Sequence, residues 1–450
     1  MLATLPSIQI KSIEYPLQAT VRVPGSKSLT NRALLISSLA NGKTRLTNAL
    51  FSDDSSYFAR ALQTLGFDIE LDEHNHKMTI TGQGGIIPAN KAELFIGNAG
   101  TAARFLSAFL TLGNGEYVLD GDARMRERPI GDLVTALTQL GAQLSPLSLM
   151  ERVDGERVAA SICPPIKIIA SGLPGGKTKI AGNISSQFLS ALLMIAPYAN
   201  SPIEIEVTTD LNSKPYVDLT IAMMRDFGVE VERREYSQFT IHPNSYSPLS
   251  TYNIESDASA ASYFFAAPAI CGGKIRVENI SRKSKQGDIN FVDVLAQIGC
   301  NIQEGNNYIE ITGTSNPQGI DVDMRDIPDT AQTLAAIAPF AVSPTRIRGI
   351  ASARLKETDR IHATCTELAR LGVSVEEHED GMTIYPCEKF NHATIQTYND
   401  HRMAMAFSLI GLRVEGVTIE NPSCVSKTFP NFFAVLDRLQ IPSPIGRGVG

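Results

Sequence analysis

The chain of 450 residues has no C-x-x-C pair, no long apolar run and no excess of positive charge. Its six cysteines, Cys163, Cys271, Cys300, Cys365, Cys387 and Cys424, are scattered, which suits neither a zinc site nor a disulfide framework. They read as reduced thiols of a cytoplasmic protein. No apolar run approaches the roughly 20 residues of a membrane span. The opening stretch MLATLPSIQIKSIEYPL lacks a basic segment followed by an apolar one, so neither insertion nor export is expected. A net charge of −7 argues against a nucleic-acid binder, which carries a basic footprint. It does not exclude small anionic ligands, which respond to local charge. The seven histidines show no ligand spacing, so no metal or other cofactor is expected.

What is present is a repeat. A helix end, a glycine and a short alternating strand recur as ALQTLGFDIE, ALTQLGAQLS, AMMRDFGVEV, VLAQIGCNIQ and ELARLGVSVE. The glycines Gly66, Gly141, Gly228, Gly299 and Gly372 lie 75, 87, 71 and 73 residues apart. A glycine just past a helix is a C-terminal capping signal, and period-two alternation marks the strand. VLDRLQIPS is a degenerate sixth copy without the glycine. Ala-rich helices form a second series anchored at Lys27, Thr101, Ser185, Ala258, Thr330 and His401, with the same period. Single cores stop growing near roughly 250–300 residues, so six α/β units fit two domains of three units each.

The first of these helices opens at Pro24-Gly25-Ser26-Lys27-Ser28-Leu29-Thr30-Asn31-Arg32. Ser26 is placed to cap free N–H groups, and Lys27, Ser28 and Arg32 sit where the helix dipole favours an anion. A phosphate-binding G-x-x-x-x-G-K-[ST] loop is excluded, because Thr20 occupies the position of its first glycine. Polar loops between the helices form a third series: Ser52-Asp53-Asp54, Arg124 to Pro129, Ser213-Lys214-Pro215-Tyr216, Lys285 to Asp288, Arg354 to Arg360 and Ser426 to Pro430. One such loop reads as a solvated surface turn. Basic residues at repeat-equivalent loops beside six helix N-termini point instead to a ligand with several anionic groups, bound where those N-termini converge.

At Lys27, Asn98-Ala99-Gly100-Thr101, Arg128-Pro129-Ile130, Lys356-Glu357-Thr358-Asp359-Arg360 and Asn399-Asp400-His401-Arg402-Met403-Ala404-Met405 the chain resembles the 5-enolpyruvylshikimate-3-phosphate synthases. The similarity runs in order over nearly the whole chain and takes in Ser185-Ser186-Gln187-Phe188-Leu189 and Lys427-Thr428-Phe429-Pro430. The resemblance implies two inside-out α/β domains, each of three βαβαββ units with pseudo-threefold symmetry. It also implies transfer of the enolpyruvyl group of phosphoenolpyruvate to the 5-hydroxyl of shikimate 3-phosphate. Those two anions are the expected partners of a monomeric enzyme.

By the same resemblance, Lys27, Ser28, Arg32, Ser185, Ser186, Gln187, Ser213, Tyr216, Asp329, Ser352 and Lys356 bind shikimate 3-phosphate. Lys27, Asn98, Gly100, Arg128, Gln187, Arg360, Arg402 and Lys427 bind phosphoenolpyruvate, and Lys27, Asp329 and Glu357 are catalytic. The residue types suit the task. Arg forks and Lys point charges offset the repulsion of two anions, while carboxylates and a lysine exchange acid and base duties. Ser352 stands where relatives commonly have asparagine. Ala102-Ala103-Arg104-Phe105 stands where many have Ala-Met-Arg-Pro. Gly100 is retained, so glyphosate is expected to compete with phosphoenolpyruvate.

The nearest alternative is the enolpyruvyl transferase acting on UDP-N-acetylglucosamine, which commonly uses a loop cysteine; the Arg124 to Pro129 loop has none. RNA 3′-phosphate cyclase is built from related units, but an aromatic-basic strip is lacking here. A catalytically dead binding module has no reason to keep Lys27, Asp329, Glu357, Arg402 and Lys427 together. The expected domains are 24–254, inserted, and 1–23 joined to 255–450, with the active site in the cleft between them. Two crossings make a hinge, with an open free form and a closed liganded one. The tail at 443–450 reads as disordered.

Overall fold

The computed structural model describes residues 5–147 and 162–439. The tail at 443–450 and the end of the degenerate sixth copy lie outside them. Two strands come first, β1 (Ser7–Gln9) and β2 (Leu17–Arg22). The first unit runs α1 (Lys27–Leu39), β3 (Asn41–Thr47), α2 (Asp53–Thr64), β4 (Asp68–Asp72) and β5 (Lys77–Gln83). The second runs β6 (Lys91–Phe95), α3 (Gly100–Phe109), β7 (Asn114–Asp120), α4 (Gly131–Gln139), β8 (Gln143–Pro146) and β9 (Ile166–Ser171). The third runs β10 (Gly176–Ile180), α5 (Ser186–Ile195), β11 (Ile203–Val207), α6 (Lys214–Asp226), β12 (Glu232–Arg234) and β13 (Gln238–Ile241), and is followed by β14 (Tyr252–Asn253).

The fourth continues with α7 (Ala258–Cys271), β15 (Gly273–Glu278), α8 (Phe291–Ile298), β16 (Asn301–Glu304) and β17 (Tyr308–Thr312). The fifth holds β18 (Asp321–Asp323), α9 (Ala331–Ile337), β19 (Thr345–Arg348), α10 (Arg360–Arg370), β20 (Val375–His378) and β21 (Gly381–Ile384). The sixth holds β22 (Ala393–Ile395), α11 (His401–Arg413), β23 (Val417–Glu420) and α12 (Phe432–Leu439). Between the two helices of most units lies the polar loop.

Five sheets share one plan, as in β6-β7-β9-β8: a parallel pair, then two antiparallel neighbours. The sixth, β1-β23-β22, has three strands and takes its antiparallel member from the start of the chain. Two outer strands are supplied out of sequence. β2 pairs in parallel with β15, Leu17 opposite Gly273, while β14 pairs in parallel with β3, Tyr252 opposite Leu46. The chain accordingly divides into Gly25–Ile254 and a unit joining Met1–Pro24 to Glu255–Gly450. Pro24 falls with the latter, one residue beyond the boundary expected from the sequence, because its carbonyl accepts from Asp257 N at 2.8 Å.

Each unit is an inside-out α/β body with its own core. In one, α3 packs on α1 and α5; in the other, α7, α9 and α11 pack on one another. Every residue of α3 is buried, as is all of α11 before Arg413. Helices apolar on every side belong inside, and alanine allows their close approach. The sheets lie outside, one face buried and one wet, so β3 and β7 alternate. The five capping glycines have φ from +86° to +110°, the left-handed turn that ends each second helix before its hairpin.

Candidate active site

The candidate residues fall on the two units, at the starts of helices and in the polar loops. On Gly25–Ile254, Ser26 caps α1 by accepting from Leu29 N at 3.4 Å. Lys27, next in the chain, places Nζ 3.5 Å from Asp54 Oδ2, a carboxylate buried in the first turn of α2. Arg32, one turn on, is 2% exposed. Its Nε donates to Thr220 Oγ1 at 2.8 Å, Nη1 to Ser28 O at 3.1 Å, and Nη2 to Ser190 Oγ and Tyr216 O at 3.3 Å. Its guanidinium lies 5.2 Å from the centre of the Phe105 ring. Burial against neutral oxygens pushes Arg32 down to about 10.

Asn98, Gly100 and Arg128 form the second group. Arg128 Nη1 donates to Asn98 Oδ1 at 2.8 Å and to Asn98 O at 3.2 Å, while its buried Nε has no hydrogen-bond partner among the described residues. Gly100 begins α3, and a Cβ built there would lie 2.4 Å from Arg128 Nη2. The sequence reading passed over Arg104, whose Nη1 and Nη2 donate to Gly100 O at 3.2 Å and Pro129 O at 2.9 Å. It ties α3 to the loop that carries Arg128. Ser185 caps α5 by accepting from Gln187 N at 3.3 Å, with Ser186 buried beside it, and Gln187 Nε2 reaches Thr101 Oγ1 at 3.4 Å. Ser213, at φ +59°, turns the chain into α6, whose first turn holds Tyr216.

On the other unit, four cations meet three carboxylates. Asp329 sits in the 3-10 turn Pro328–Thr330; Arg402 Nη2 is 2.8 Å from its Oδ2, and Arg360 Nη1 is 3.1 Å from its Oδ1. Lys356 Nζ stands 4.0 Å away. Glu357 accepts from Arg360 Nη2 at 2.7 Å and lies 3.8 Å from Lys427 Nζ. Asp400, wholly buried, accepts from Arg360 Nε at 2.7 Å and caps α11 through Arg402 N at 2.9 Å. Burial opposes the charge of Arg360, but Asp400, Glu357 and Asp329 outweigh it and hold the guanidinium above its ordinary range. Buried His401 places Nδ1 3.4 Å from Asp400 Oδ1. Ser352 lies in the 3-10 turn Ala351–Leu355 before Lys356, half-buried and outside this ion-pair cluster.

Asp400 had a motif but no role in the sequence reading; its signal was an aspartate immediately before a helix start. At α7 the first N–H groups are taken by side chains, Ala258 N donating to Gln286 Oε1 at 3.0 Å and Ala260 N to Asp257 Oδ1 at 2.8 Å.

Comparison with known proteins gives one answer. A family model described as EPSP synthase (3-phosphoshikimate 1-carboxyvinyltransferase) matches residues 11–436. The chain is 50% identical over 429 residues to the 3-phosphoshikimate 1-carboxyvinyltransferase of Trichormus variabilis, covering 95% of this chain and 98% of that one. It is 49% identical over 421 residues to that of Shewanella denitrificans, covering 93% and 96%. The structure of an EPSP synthase from Acinetobacter baumannii superposes with a TM-score of 0.78 at 26% identity, covering 96% of this chain and 97% of that one.

Proposed function

Because the chain belongs to the EPSP synthase family, we infer that it transfers the enolpyruvyl group of phosphoenolpyruvate to the 5-hydroxyl of shikimate 3-phosphate, releasing phosphate. Both substrates are anions. Arg128, Arg360, Arg402 and Lys427 supply positive charge for phosphoenolpyruvate, with Lys27, Asn98, Gly100 and Gln187 around it. Ser185, Ser186, Ser213 and Lys356 hold the 3-phosphate, and Ser28, Arg32, Gln187, Tyr216 and Ser352 surround the ring. Arg128 Nε, buried and without a hydrogen-bond partner among the described residues, is a donor that a substrate oxygen would satisfy.

The reaction first adds the 5-oxygen to carbon 2 of phosphoenolpyruvate. The hydroxyl proton passes to Asp329, and carbon 3 gains a proton, with Glu357 and Lys27 serving carbon 3 and the leaving phosphate. The tetrahedral intermediate then returns the carbon 3 proton, its C2–O bond to phosphate breaks and phosphate leaves. Asp329 carries this reading, because its carboxylate is held by Arg360 and Arg402 within 3.1 Å. Substrate anions compete for the same cations, which frees the carboxylate to act as a base. We further propose that the protein acts as a monomer in the cytoplasm. Among the described residues, no helix is long and apolar enough to cross a membrane.

Phosphate release from purified protein tests the reading. Release requires phosphoenolpyruvate and shikimate 3-phosphate together, and is lost in Asp329→Ala. Release with UDP-N-acetylglucosamine in place of shikimate 3-phosphate would overturn it.

A further inference from the structure

Helix α10 grips the segment before α11 at two points. At its start, Arg360 Nε and Nη2 donate to Asp400 at 2.7 and 3.2 Å. Two helical turns on, about 10 Å along the axis at 1.5 Å per residue, Glu367 shares that face. Its carboxylate is wholly buried. It accepts from Gln396 N at 3.1 Å, from Tyr398 OH at 2.8 Å and from Arg370 Nε at 3.0 Å. Burial, and then the carboxylate beside it, push the Tyr398 hydroxyl up to about 12, so it stays protonated and donating.

The gripped segment is strained. Tyr398 and Asn399 are consecutive non-glycine residues at φ +53° and +55°. Such backbone persists only where its surroundings over-determine it. Asn421 Nδ2 donates to Asn399 Oδ1 at 3.2 Å, and Asp400 N donates to Thr397 O at 2.8 Å. The turn delivers Asp400, then Arg402, whose guanidinium reaches Asp329.

We propose that Glu367 is a positioning residue for the phosphoenolpyruvate end of the site, fixing the strained turn through Gln396 and Tyr398 and so the placement of Asp400, Arg402 and Arg360. This rests on the reading above that Arg360 and Arg402 hold phosphoenolpyruvate. Arg360 and Glu367 act as the two ends of one clamp. Releasing the far end lets the turn relax, and Arg402 moves with it. A misplaced binding charge weakens the bound state of one substrate and raises its KM, leaving the other substrate alone.

The test is steady-state kinetics on Glu367→Gln and Tyr398→Phe, with Arg402→Ala as reference and the melting temperature of each variant. Tyr398→Phe removes one charge-assisted hydrogen bond and is expected to raise KM for phosphoenolpyruvate roughly 3- to 10-fold. Glu367→Gln sets an amide N–H₂ among three donors and is expected to raise it on the order of 10- to 100-fold. KM for shikimate 3-phosphate stays within about twofold in both. A merely structural Glu367 lowers the melting temperature without separating the two KM values. If Arg402→Ala raises KM for phosphoenolpyruvate and neither clamp variant does, the proposal is overturned. If Arg402→Ala leaves that KM unmoved, the underlying reading fails first and the proposal with it. Tyr398 is 40% exposed, so Tyr398→Phe decides alone should Glu367→Gln not fold.

Discussion

Arg402 Nη2 lies 2.8 Å from Asp329 Oδ2, although 73 residues separate the two in the chain. The contact joins the start of α11 to the turn before α9. It sets a buried guanidinium against the carboxylate proposed to serve the 5-hydroxyl. Asp329→Asn keeps the shape but removes the base and one of the two oxygens that accept from Arg360 and Arg402. Turnover should fall by about 10²–10⁴, the usual worth of a positioned general base. Phosphate-release rates check this, with KM for phosphoenolpyruvate expected to change far less than kcat.

A side chain at Gly100 would first meet the guanidinium of Arg128. A Cβ there would lie 2.4 Å from Arg128 Nη2, so Gly100→Ala must displace the guanidinium from Asn98. KM for phosphoenolpyruvate should rise roughly tenfold or more, since a shift near 1 Å in a binding group can cost up to 10²-fold. KM for shikimate 3-phosphate should hold. Glyphosate, competing for the same site, should lose potency in parallel, as inhibition constants would show.

Phe105 lies within α3, which runs through it without a break. Its ring lies under the buried Arg32. Phe105→Leu stays apolar but loses the attraction of a desolvated cation to an aromatic face, worth roughly 0.5–2 kcal/mol. KM for shikimate 3-phosphate should rise by about 2- to 30-fold on that figure, with phosphoenolpyruvate little affected. Equal changes in both constants would point to general loosening of α3 instead.

Cys424, in the 3-10 turn that carries Lys427, is pushed by burial up to about 12. An unfolded chain ionises this thiol near pH 9, so the folded state binds the extra proton between those values. Stability from this group is fully present below pH 9 and is lost as pH rises toward 12. Thermal unfolding followed from pH 8 to 11 should show this decline, flattened in Cys424→Ala. At pH 8 a disulfide exchange reagent should label Cys424 slowly in the folded enzyme and rapidly after denaturation.

Much of the fold was legible because its signals are local. A glycine past a helix ends it whatever surrounds it, and Gly66, Gly141, Gly228, Gly299 and Gly372 all have the positive φ their positions required. Ser26, Ser185 and Asp257 cap the helices they precede, for the same reason. Six units, and the residue types needed by two anionic substrates, were therefore determined by the chain alone.

Tertiary structure decided the partners. No local rule pairs β14 with β3 or β2 with β15, since a strand completes whichever open sheet edge packing brings to it. Nor does spacing reveal that Arg360 is shared among Asp329, Glu357 and Asp400, or that the first donors of α7 are taken by Gln286 and Asp257. The sequence places Arg32 near the start of α1 but does not show what surrounds it. Packing of α1 against α3 and α6 buried it on the Phe105 ring, where desolvation sets its character. A capping residue acts over four positions of chain, whereas a buried charge answers to every group within a few ångströms. Only the folded core fixes which groups those are.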